Sequence, residues 1–550
     1  MTRYKKNIIH SRIKFFYFIS TIFFLCLVGR LYYLQIYERE YLRLQGLKQR
    51  SAEIALNSTR GIIYDRNLFY LTNGEITKTL IGPKDTILNN RELLSIIKEN
   101  TSLSQMELGE VLNTKEKLVQ IPLTKEIYLE DINNVFIVDI VNRYSKTNLL
   151  SHVIGYINKA ENKGESGIEK VYDEFLNRND KSSLFIEYDK NRSLILGSSY
   201  YVDNSEISQE PAGVKLTIDY NIQKIVERIL DKSGEKGAVV VSDINTGQIL
   251  ALASRPSFNQ DHMEDYFNRE DMALYNKAIQ VSYPPGSIFK IVVLLAALEE
   301  EPDYINREFY CNGYTQINNV IIKCNNTKGH GYISLKEGFA KSCNSVFIQI
   351  GREIGAKKIM GMAKKLGFGE KINIGLLEEV EGSLPEGEEL LGPAIGNISI
   401  GQGKIETTPL QITNMFLTIA NDGIEKDMNI VQGITTKDGQ IIKTYNKERD
   451  KRIISSETAR TTQEFLEEVL HSGTAKSLEM EDIGGGAGKT GSAEGILNGR
   501  PTIHGWFAGY FPKKEPKYVI TVLVEEANSG SKSAAPIFES ICKEIYMRIK

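Results

Sequence analysis

Apolar and polar residues follow each other with different periods along the chain, and each period predicts a type of element. The longest apolar run covers residues 15–36, carries Arg30 as its only charge, and is long enough for a helix that crosses a bilayer. Residues 1–14 before it contain five basic side chains and no acidic one. These features predict a cytoplasmic tail and an uncleaved membrane anchor. A cleaved signal peptide is the alternative, but no small-x-small cleavage site lies between Gly29 and Glu40.

Beyond residue 210, strand-like apolar runs and helical spacing occupy separate stretches. One pair of strands is predicted near each end of this part, with helical segments between and after them. The predicted strands are 237–242, 249–254, 506–511 and 518–525, and the predicted helices include 220–230 and 535–549. This order favours an α+β fold, in which one antiparallel sheet lies beside a helical lobe.

The composition changes near Pro211, which predicts a domain boundary between residues 210 and 211. Within residues 37–210, the stretch near 84–145 is helical and polar and predicts a small inserted head. A chain of 550 residues also exceeds what one hydrophobic core usually serves. With 67 basic and 70 acidic residues and no block of like charge, the sequence argues against nucleic acid as a partner.

The stretch 283–290 has the sequence Tyr-Pro-Pro-Gly-Ser-Ile-Phe-Lys and leads into an apolar helical run. Ser287 is predicted to open a buried helix, and Lys290 follows three residues later on the same face. A desolvated amine at that distance can take the hydroxyl proton, which would make Ser287 a nucleophile with its own base. By itself the pattern favours an ordinary helix start with a solvated lysine, because this spacing is common by chance.

Two later motifs change that interpretation. Ser342-Cys343-Asn344 lies 55 residues after Ser287, and Lys489-Thr490-Gly491-Ser492 lies 202 residues after it. Three such motifs in this order match the set of active-site-serine penicillin-binding proteins and β-lactamases. Residues 60–67 resemble the signature that opens the pedestal of class B members, although Leu68 stands where that signature has glycine. The chain therefore resembles a class B, monofunctional penicillin-binding protein, of the division or sporulation type.

The resemblance implies a pedestal (dimerisation) domain over 37–210 and a transpeptidase domain over 211–550. It also implies four catalytic residues, carried over by their motif positions. Ser287 would attack the penultimate D-Ala carbonyl of a peptidoglycan stem peptide, and Lys290 would deprotonate it. Ser342 would relay the proton to the leaving D-Ala, and Asn344 would hold Lys290 and the substrate backbone.

Substrate binding is implied for the Lys-Thr-Gly-Ser motif. Lys489 and Thr490 would recognise the terminal carboxylate, and Gly491, without a side chain, would let the substrate lie along the strand. The backbone N–H groups of Ser287 and Ser492 would form the oxyanion hole. Trp506 and His330 are expected to have structural roles, the first in core packing and the second in a loop.

The implied activity is that of a serine-type D-Ala-D-Ala transpeptidase that needs no cofactor and is acylated by β-lactams. The enzyme would be a single-pass protein of the cell membrane, with its N-terminus in the cytoplasm and its catalytic domain outside. Glycan strands would come from an FtsW/RodA-type polymerase docked on the anchor and pedestal. Two alternatives are a β-lactamase, which needs neither anchor nor pedestal, and a non-catalytic scaffold or β-lactam sensor. The motifs do not separate division, elongation and sporulation roles.

Cys343 occupies the middle of the Ser-x-Asn motif, and Cys324 lies 19 residues earlier. Thiols in an exported site can be oxidised. A Cys324–Cys343 disulfide would displace Ser342 and Asn344, act as an off switch and require a thiol-disulfide reductase as partner. The alternatives are a buried filler at Cys343, with Cys324 either unpaired or paired with Cys311.

A metal site is not expected from this part of the sequence. Cys311, Cys324 and His330 are neighbours in the chain, but their spacings are irregular and no Cys-x-x-Cys pair occurs. Five cysteines are also too few for a scaffold built on disulfides.

Overall fold

The computed structural model describes residues 2–55, 60–115, 118–125, 127, 135–177, 182–187, 201–204, 212–445, 450–497 and 499–549. The chain forms two compact units. The first comprises Met1–Thr59, Ile76–Asn142 and Asn179–Ser208, and the second comprises Arg60–Glu75, Arg143–Arg178 and Gln209–Lys550. The predicted boundary between residues 210 and 211 lies outside the described residues, and the predicted division into domains stays a prediction.

The first unit begins with a long apolar helix. The α-helix Thr2–Tyr32 continues into a π-helical segment, Tyr33–Tyr37. Within it, Arg12–Tyr37 is 26 residues long and apolar enough to cross a membrane, and its apolar core is not buried inside the protein. At about 1.5 Å per residue, such a helix exceeds the roughly 30 Å of a bilayer core. The predicted anchor over 15–36 falls inside this segment, which fits a membrane anchor.

In the described part of the first unit, two three-stranded sheets and four helices follow this segment. One sheet has the strand order Leu118–Pro122, Glu75–Pro83, Phe136–Asn142, and the other has the order Ser51–Ala55, Ser182–Glu187, Tyr201–Asn204. The helices are Arg39–Arg50, Lys84–Asn89, Arg91–Asn100 and Gln105–Asn113. Leu80, Leu93 and Ile97 are fully buried members of a separate hydrophobic core, which accounts for the polar-faced helices predicted near 84–145.

The second unit opens with a small mixed sheet whose strands come from distant parts of the chain. The strand order is Ile441–Thr444, Val431–Thr435, Gly213–Leu216, Ile63–Tyr64. Other short elements here are Ser151–Ile154, Ile157–Asn158, Lys163–Gly164, Gly167–Val171 and Asp173–Leu176. The buried Glu169 carboxylate joins them, because it accepts hydrogen bonds from Arg60 Nε at 2.9 Å and Arg143 Nε at 2.7 Å. Removing one partner of such a buried pair typically costs about 3–5 kcal/mol.

Leu68, which departs from the family signature, lies in the turn after the strand Ile63–Tyr64. Its φ of +66° falls in the left-handed region that favours glycine. Asp65 stabilises the turn, since its Oδ1 accepts hydrogen bonds from the N–H groups of Asn67 and Phe69, both at 2.7 Å. The glycine-like conformation is therefore kept with leucine, at a cost of about 1 kcal/mol.

A five-stranded antiparallel sheet, the central sheet, forms the core of the second unit. Its order is Ile249–Arg255, Gly237–Asp243, Tyr518–Val524, Arg500–Phe511, Ala487–Leu497. The predicted hairpin and the predicted C-terminal strand pair are thus confirmed as parts of one sheet. Ala487–Leu497, hereafter the Lys-Thr-Gly strand, is an edge of it.

Helices and short hairpins surround this sheet. The helices are Tyr220–Ser233, Lys290–Glu300, Leu335–Ala340, Asn344–Ile354, Ala356–Lys365, Ala394–Ile398, Pro409–Ala420, Ser456–His471 and Ala535–Ile549. The paired short strands are Glu308–Cys311 with Gly331–Ser334, Tyr314–Ile317 with Val320–Lys323, and Ile424–Glu425 with Lys451–Arg452. We call Lys290–Glu300 the nucleophile helix and Asn344–Ile354 the Ser-Cys-Asn helix. The predicted α+β fold is confirmed.

Candidate active site

Ser287 lies in one turn of 3₁₀ helix, Gly286–Phe289, directly before the nucleophile helix. The sequence placed Ser287 at the helix start, whereas the α-helix begins at Lys290. The approach to this turn is fixed by two hydrogen bonds, since Gly286 N donates to Gly401 O at 2.9 Å and Trp506 Nε1 donates to Pro284 O at 3.0 Å. Trp506 is fully buried, so its packing role also positions the turn of Ser287.

Lys290 brings the four predicted catalytic residues together. Its Nζ lies 3.0 Å from Ser287 Oγ, 3.1 Å from Ser342 Oγ and 2.7 Å from Asn344 Oδ1. The side chain is fully buried because the nucleophile helix is apolar on all sides from Ile291 to Leu298. Burial lowers the pKa of Lys290 to about 8, against an opposing effect of nearby cysteine thiols. An amine with that pKa can act as a base near neutral pH.

Ser342 occupies a strained turn between two helices. Its φ is +54°, which is uncommon for a residue with a side chain. The turn is held because Ser342 N donates to Phe339 O at 3.0 Å and Cys343 N donates to Gly338 O at 2.7 Å. Asn344 Nδ2 donates to Lys323 O at 2.9 Å on the adjoining hairpin. These contacts fix the two side chains that Lys290 reaches.

Lys489 and Thr490 lie where the Lys-Thr-Gly strand passes the helical lobe. Lys489 is fully buried, with Nζ 3.1 Å from Thr490 O and 5.8 Å from the centre of the Phe339 ring. Burial, followed by the charge of Lys290, lowers the pKa of Lys489 well below its usual range. Thr490 Oγ1 lies 2.6 Å from Thr474 Oγ1. Sequence reasoning missed Thr474, which belongs to no recognised motif.

Gly491 has a reason for its missing side chain that the sequence did not show. A Cβ atom there would lie 2.9 Å from Ile288 Cγ1, 3.0 Å from Pro285 O and 3.1 Å from Trp506 Cβ. The space is therefore filled by the turn of Ser287, whereas the sequence interpretation reserved it for substrate. Ser492 Oγ accepts a hydrogen bond from Gly530 N at 3.1 Å. The oxyanion hole of the Ser287 and Ser492 N–H groups stays a prediction.

Comparison with known proteins identifies this arrangement. Residues 237–543, more than half of the chain, match the family model described as the penicillin binding protein transpeptidase domain. The chain belongs to the penicillin-binding protein transpeptidase family. The predictions of a class B penicillin-binding protein and of a peptidoglycan D,D-transpeptidase with a serine nucleophile are thereby confirmed.

The relatives of this transpeptidase include proteins named for sporulation and for cell wall synthesis. It is 28% identical over 98% of its length to stage V sporulation protein D of Bacillus subtilis, covering 85% of that protein. It is 26% identical over 99% of its length to the peptidoglycan D,D-transpeptidase FtsI of Buchnera aphidicola, covering 96% of that protein. A chain in a solved peptidoglycan synthase complex has the same fold, with a TM-score of 0.70 and 23% sequence identity. The similarity covers 98% of this chain and 99% of that chain.

The acylation rate of the transpeptidase is expected to rise with pH and to level off above about pH 8. Below the Lys290 pKa of about 8 the amine is mostly protonated and cannot take the Ser287 proton, so the rate should fall about tenfold per pH unit. The measurement is the second-order rate constant of a fluorescent penicillin at several pH values, with circular dichroism at each to show that the protein is folded. A rate independent of pH across this range would contradict a lysine base.

Four side chains of types that can bind a metal ion form a cluster that includes Cys343 of the Ser-Cys-Asn turn. Cys324 Sγ is 3.7 Å from both Cys343 Sγ and His330 Nδ1, and with Cys311 all four ligand atoms lie within 4.8 Å of one another. The irregular spacing of these residues in the sequence argued against a metal site. The two strand pairs Glu308–Cys311 with Gly331–Ser334 and Tyr314–Ile317 with Val320–Lys323 nevertheless bring the four side chains together, so the spacing no longer argues against a site. All five cysteines are free thiols, and the predicted Cys324–Cys343 disulfide stays a prediction.

Proposed function

We propose that Ser287, Lys290, Ser342 and Asn344 carry out transpeptidation of peptidoglycan stem peptides. The supporting observation is the buried Lys290 amine, which lies within 3.1 Å of both serine hydroxyls. As a free amine it takes the Oγ proton while Ser287 attacks the penultimate D-Ala carbonyl. Ser342 passes that proton to the nitrogen of the departing D-Ala, and a second amine then attacks the acyl-enzyme. Asn344 keeps Lys290 in place through its Oδ1 at 2.7 Å.

Lys489, Thr490 and Ser492 form the proposed binding edge. The terminal carboxylate of the donor peptide, once beside Lys489, favours the charged form of its amine, and at low dielectric the two charges attract each other strongly. The Thr490 hydroxyl adds a hydrogen-bond donor. The edge position of the Lys-Thr-Gly strand leaves one side of its backbone for an added strand of substrate. The N–H groups of Ser287 and Ser492 then stabilise the oxyanion.

The catalytic role of Ser287 is tested with the intact protein in detergent. We expect a fluorescent penicillin to label the wild type covalently, and D-Ala to be released from a donor pentapeptide when an amine acceptor is present. Ser287→Ala should abolish both signals, whereas Ser282→Ala, a control at a half-buried serine five residues earlier, should keep them. Labelling that survives in a folded Ser287→Ala protein would contradict the assignment. Rapid turnover of the penicillin, in place of a lasting acyl-enzyme, would favour the β-lactamase alternative.

The proposed location is the cell membrane, with the N-terminus in the cytoplasm and the catalytic domain outside. Support comes from the apolar helix Arg12–Tyr37 and the basic residues before it. We propose a glycan polymerase of the FtsW/RodA type as partner, in keeping with the related chain found in a peptidoglycan synthase complex. A thiol-disulfide reductase is a partner only if the Cys324–Cys343 disulfide forms.

Replacing residues 15–36 with an unrelated membrane-spanning helix is expected to weaken the complex with the polymerase. The physical reason is that helix packing inside a bilayer depends on side-chain shape rather than on hydrophobicity. Co-purification from membranes measures the complex, and fluorescent penicillin labelling of the same samples shows that the catalytic domain is intact. Unchanged co-purification would remove the anchor from the interface.

A further inference from the structure

We propose that Cys311, Cys324, His330 and Cys343 bind one Zn²⁺ ion, as three thiolates and one imidazole in a tetrahedral site. Three thiolates and a histidine are a common ligand set of closed, structural zinc sites. All four donor atoms lie within 4.8 Å of one another. Such a site lies outside the acyl-transfer chemistry, but directly beneath the residues that perform it.

The distances between the donor atoms match those around zinc. With Zn–S near 2.3 Å and Zn–N near 2.0–2.1 Å, tetrahedral angles place two sulfurs about 3.8 Å apart and a sulfur and nitrogen about 3.6 Å apart. Cys324 Sγ lies 3.7 Å from Cys343 Sγ and 3.7 Å from His330 Nδ1. A disulfide would require the two sulfurs to approach to about 2.05 Å. The existing separations therefore need little adjustment for a shared ion.

The backbone around the site is shaped to hold the ligands. Cys311 is the last residue of the strand Glu308–Cys311. The backbone N–H of His330 donates a hydrogen bond to the carbonyl oxygen of Cys311 at 3.0 Å. Gly329 makes this approach possible, because it has a φ of +84° and a Cβ there would lie 2.5 Å from Cys311 O. Cys324 follows the strand Val320–Lys323. Two hairpin ends thus converge on one point.

The three cysteines of the cluster are shielded from water, as the ligands of a closed structural metal site are. Cys311, Cys324 and Cys343 are each at most 3% exposed, and His330 is partly buried at the rim. Cys343 directly precedes Asn344, the first residue of the Ser-Cys-Asn helix, so the cluster lies at the N-terminus of that helix. The positive end of a helix stabilises negative charge on a metal-bound thiolate.

The proposed ion would join the two structures that position Asn344. Cys343 belongs to the turn before Asn344, while Cys324 follows Lys323, whose carbonyl accepts from Asn344 Nδ2 at 2.9 Å. A metal bound by both cysteines fixes that contact from each side. It also occupies the same sulfurs as the predicted disulfide, so zinc binding and disulfide formation exclude each other. Oxidation by a small disulfide would take two electrons from the two thiolates, join their sulfurs in a disulfide and release the ion. The small disulfide would be cleaved to two thiols, with two protons taken from the solvent.

The test measures metal in the full-length protein, purified in detergent without chelators. We expect about one zinc per chain by mass spectrometry of the metal content. Co²⁺ exchanged into the wild type should give intense thiolate-to-metal charge-transfer absorption and the visible bands of tetrahedral cobalt. Cys311→Ser and His330→Asn should lose most of the zinc, whereas Cys542→Ala, which alters a buried thiol outside the cluster, should keep it. Removing zinc from the wild type should slow penicillin acylation about tenfold or more.

Cys311 and His330 separate this proposal from a simple redox pair, because neither belongs to the Cys324–Cys343 disulfide. Zinc content in Cys311→Ser and His330→Asn equal to that of Cys542→Ala would overturn the proposal. The proposal would also be overturned if the reduced wild-type protein bound neither Zn²⁺ nor Co²⁺. This measurement does not depend on the folding of any variant. Oxidised glutathione should form the disulfide far more slowly in the zinc-loaded protein than in the chelated protein, as followed by intact mass, and equal rates would count against the shared site.

Discussion

Lys290→Ala is expected to slow acylation by a β-lactam by about 10²–10⁴-fold, the usual contribution of a positioned general base. The change removes the only amine near Ser287 Oγ among the described contacts, and leaves Ser342 and Asn344 without the group that joins them. The second-order rate constant for a fluorescent penicillin measures the effect. Because the serine and the lysine act as a unit, the double variant Ser287→Ala with Lys290→Ala should be hardly worse than Ser287→Ala alone.

A matched control for that variant is Lys341→Ala. Lys341 is exposed and directly precedes the Ser-Cys-Asn motif, so its replacement should leave the rate nearly unchanged. Thermal unfolding of both variants shows whether they fold. A folded Lys290→Ala protein that is acylated at the wild-type rate would remove Lys290 from the role of base.

Gly491→Ala is expected to lower the acylation rate by about 10²-fold, with only modest loss of stability. The added methyl would lie 3.0 Å from Pro285 O and 2.9 Å from Ile288 Cγ1, so the turn of Ser287 must move away from the Lys-Thr-Gly strand. A displacement near 1 Å of a reacting group can cost that much in rate. The measurement is again the second-order rate constant, together with the melting temperature.

Gly361→Ala provides the comparison for this substitution. Gly361 lies in the helix Ala356–Lys365, and a Cβ there meets nothing within 4 Å. We expect an unchanged rate and a gain in stability of up to about 1 kcal/mol, because alanine is the better helix former. If Gly491→Ala also kept the wild-type rate, the turn would not depend on contact with this strand.

Much of the fold could be predicted because it rests on local patterns. The hairpin strands Gly237–Asp243 and Ile249–Arg255 are continuous apolar runs beside a polar turn, and the helix Ala535–Ile549 has helical spacing. The sequence could not show that Ile63–Tyr64 pairs with Gly213–Leu216, since that contact depends on the folding of everything between them. Local periodicity carries no information about such pairings.

The same distinction applies to the active site. Ser287 and Lys290 could be paired from the sequence because one helical turn separates them, and the later motifs were found through the family resemblance. Thr474 was missed because it reaches Thr490 only after the intervening chain has turned back. The cluster around Cys324 was missed for a related reason, since the hairpins that gather it have ligand spacings unlike those of short zinc motifs.

The strand order of the central sheet has a consequence for how the protein folds. Gly237–Asp243 pairs with Tyr518–Val524, which is synthesised more than 250 residues later. Contacts between such distant segments slow folding, and until the late strand arrives the early one keeps an unpaired edge with apolar side chains. An unpaired apolar edge of this kind favours aggregation for as long as the late strand is missing. Ser287 and Lys290 are synthesised well before they can react, because the Lys-Thr-Gly strand beside them is among the last parts of the chain to be made.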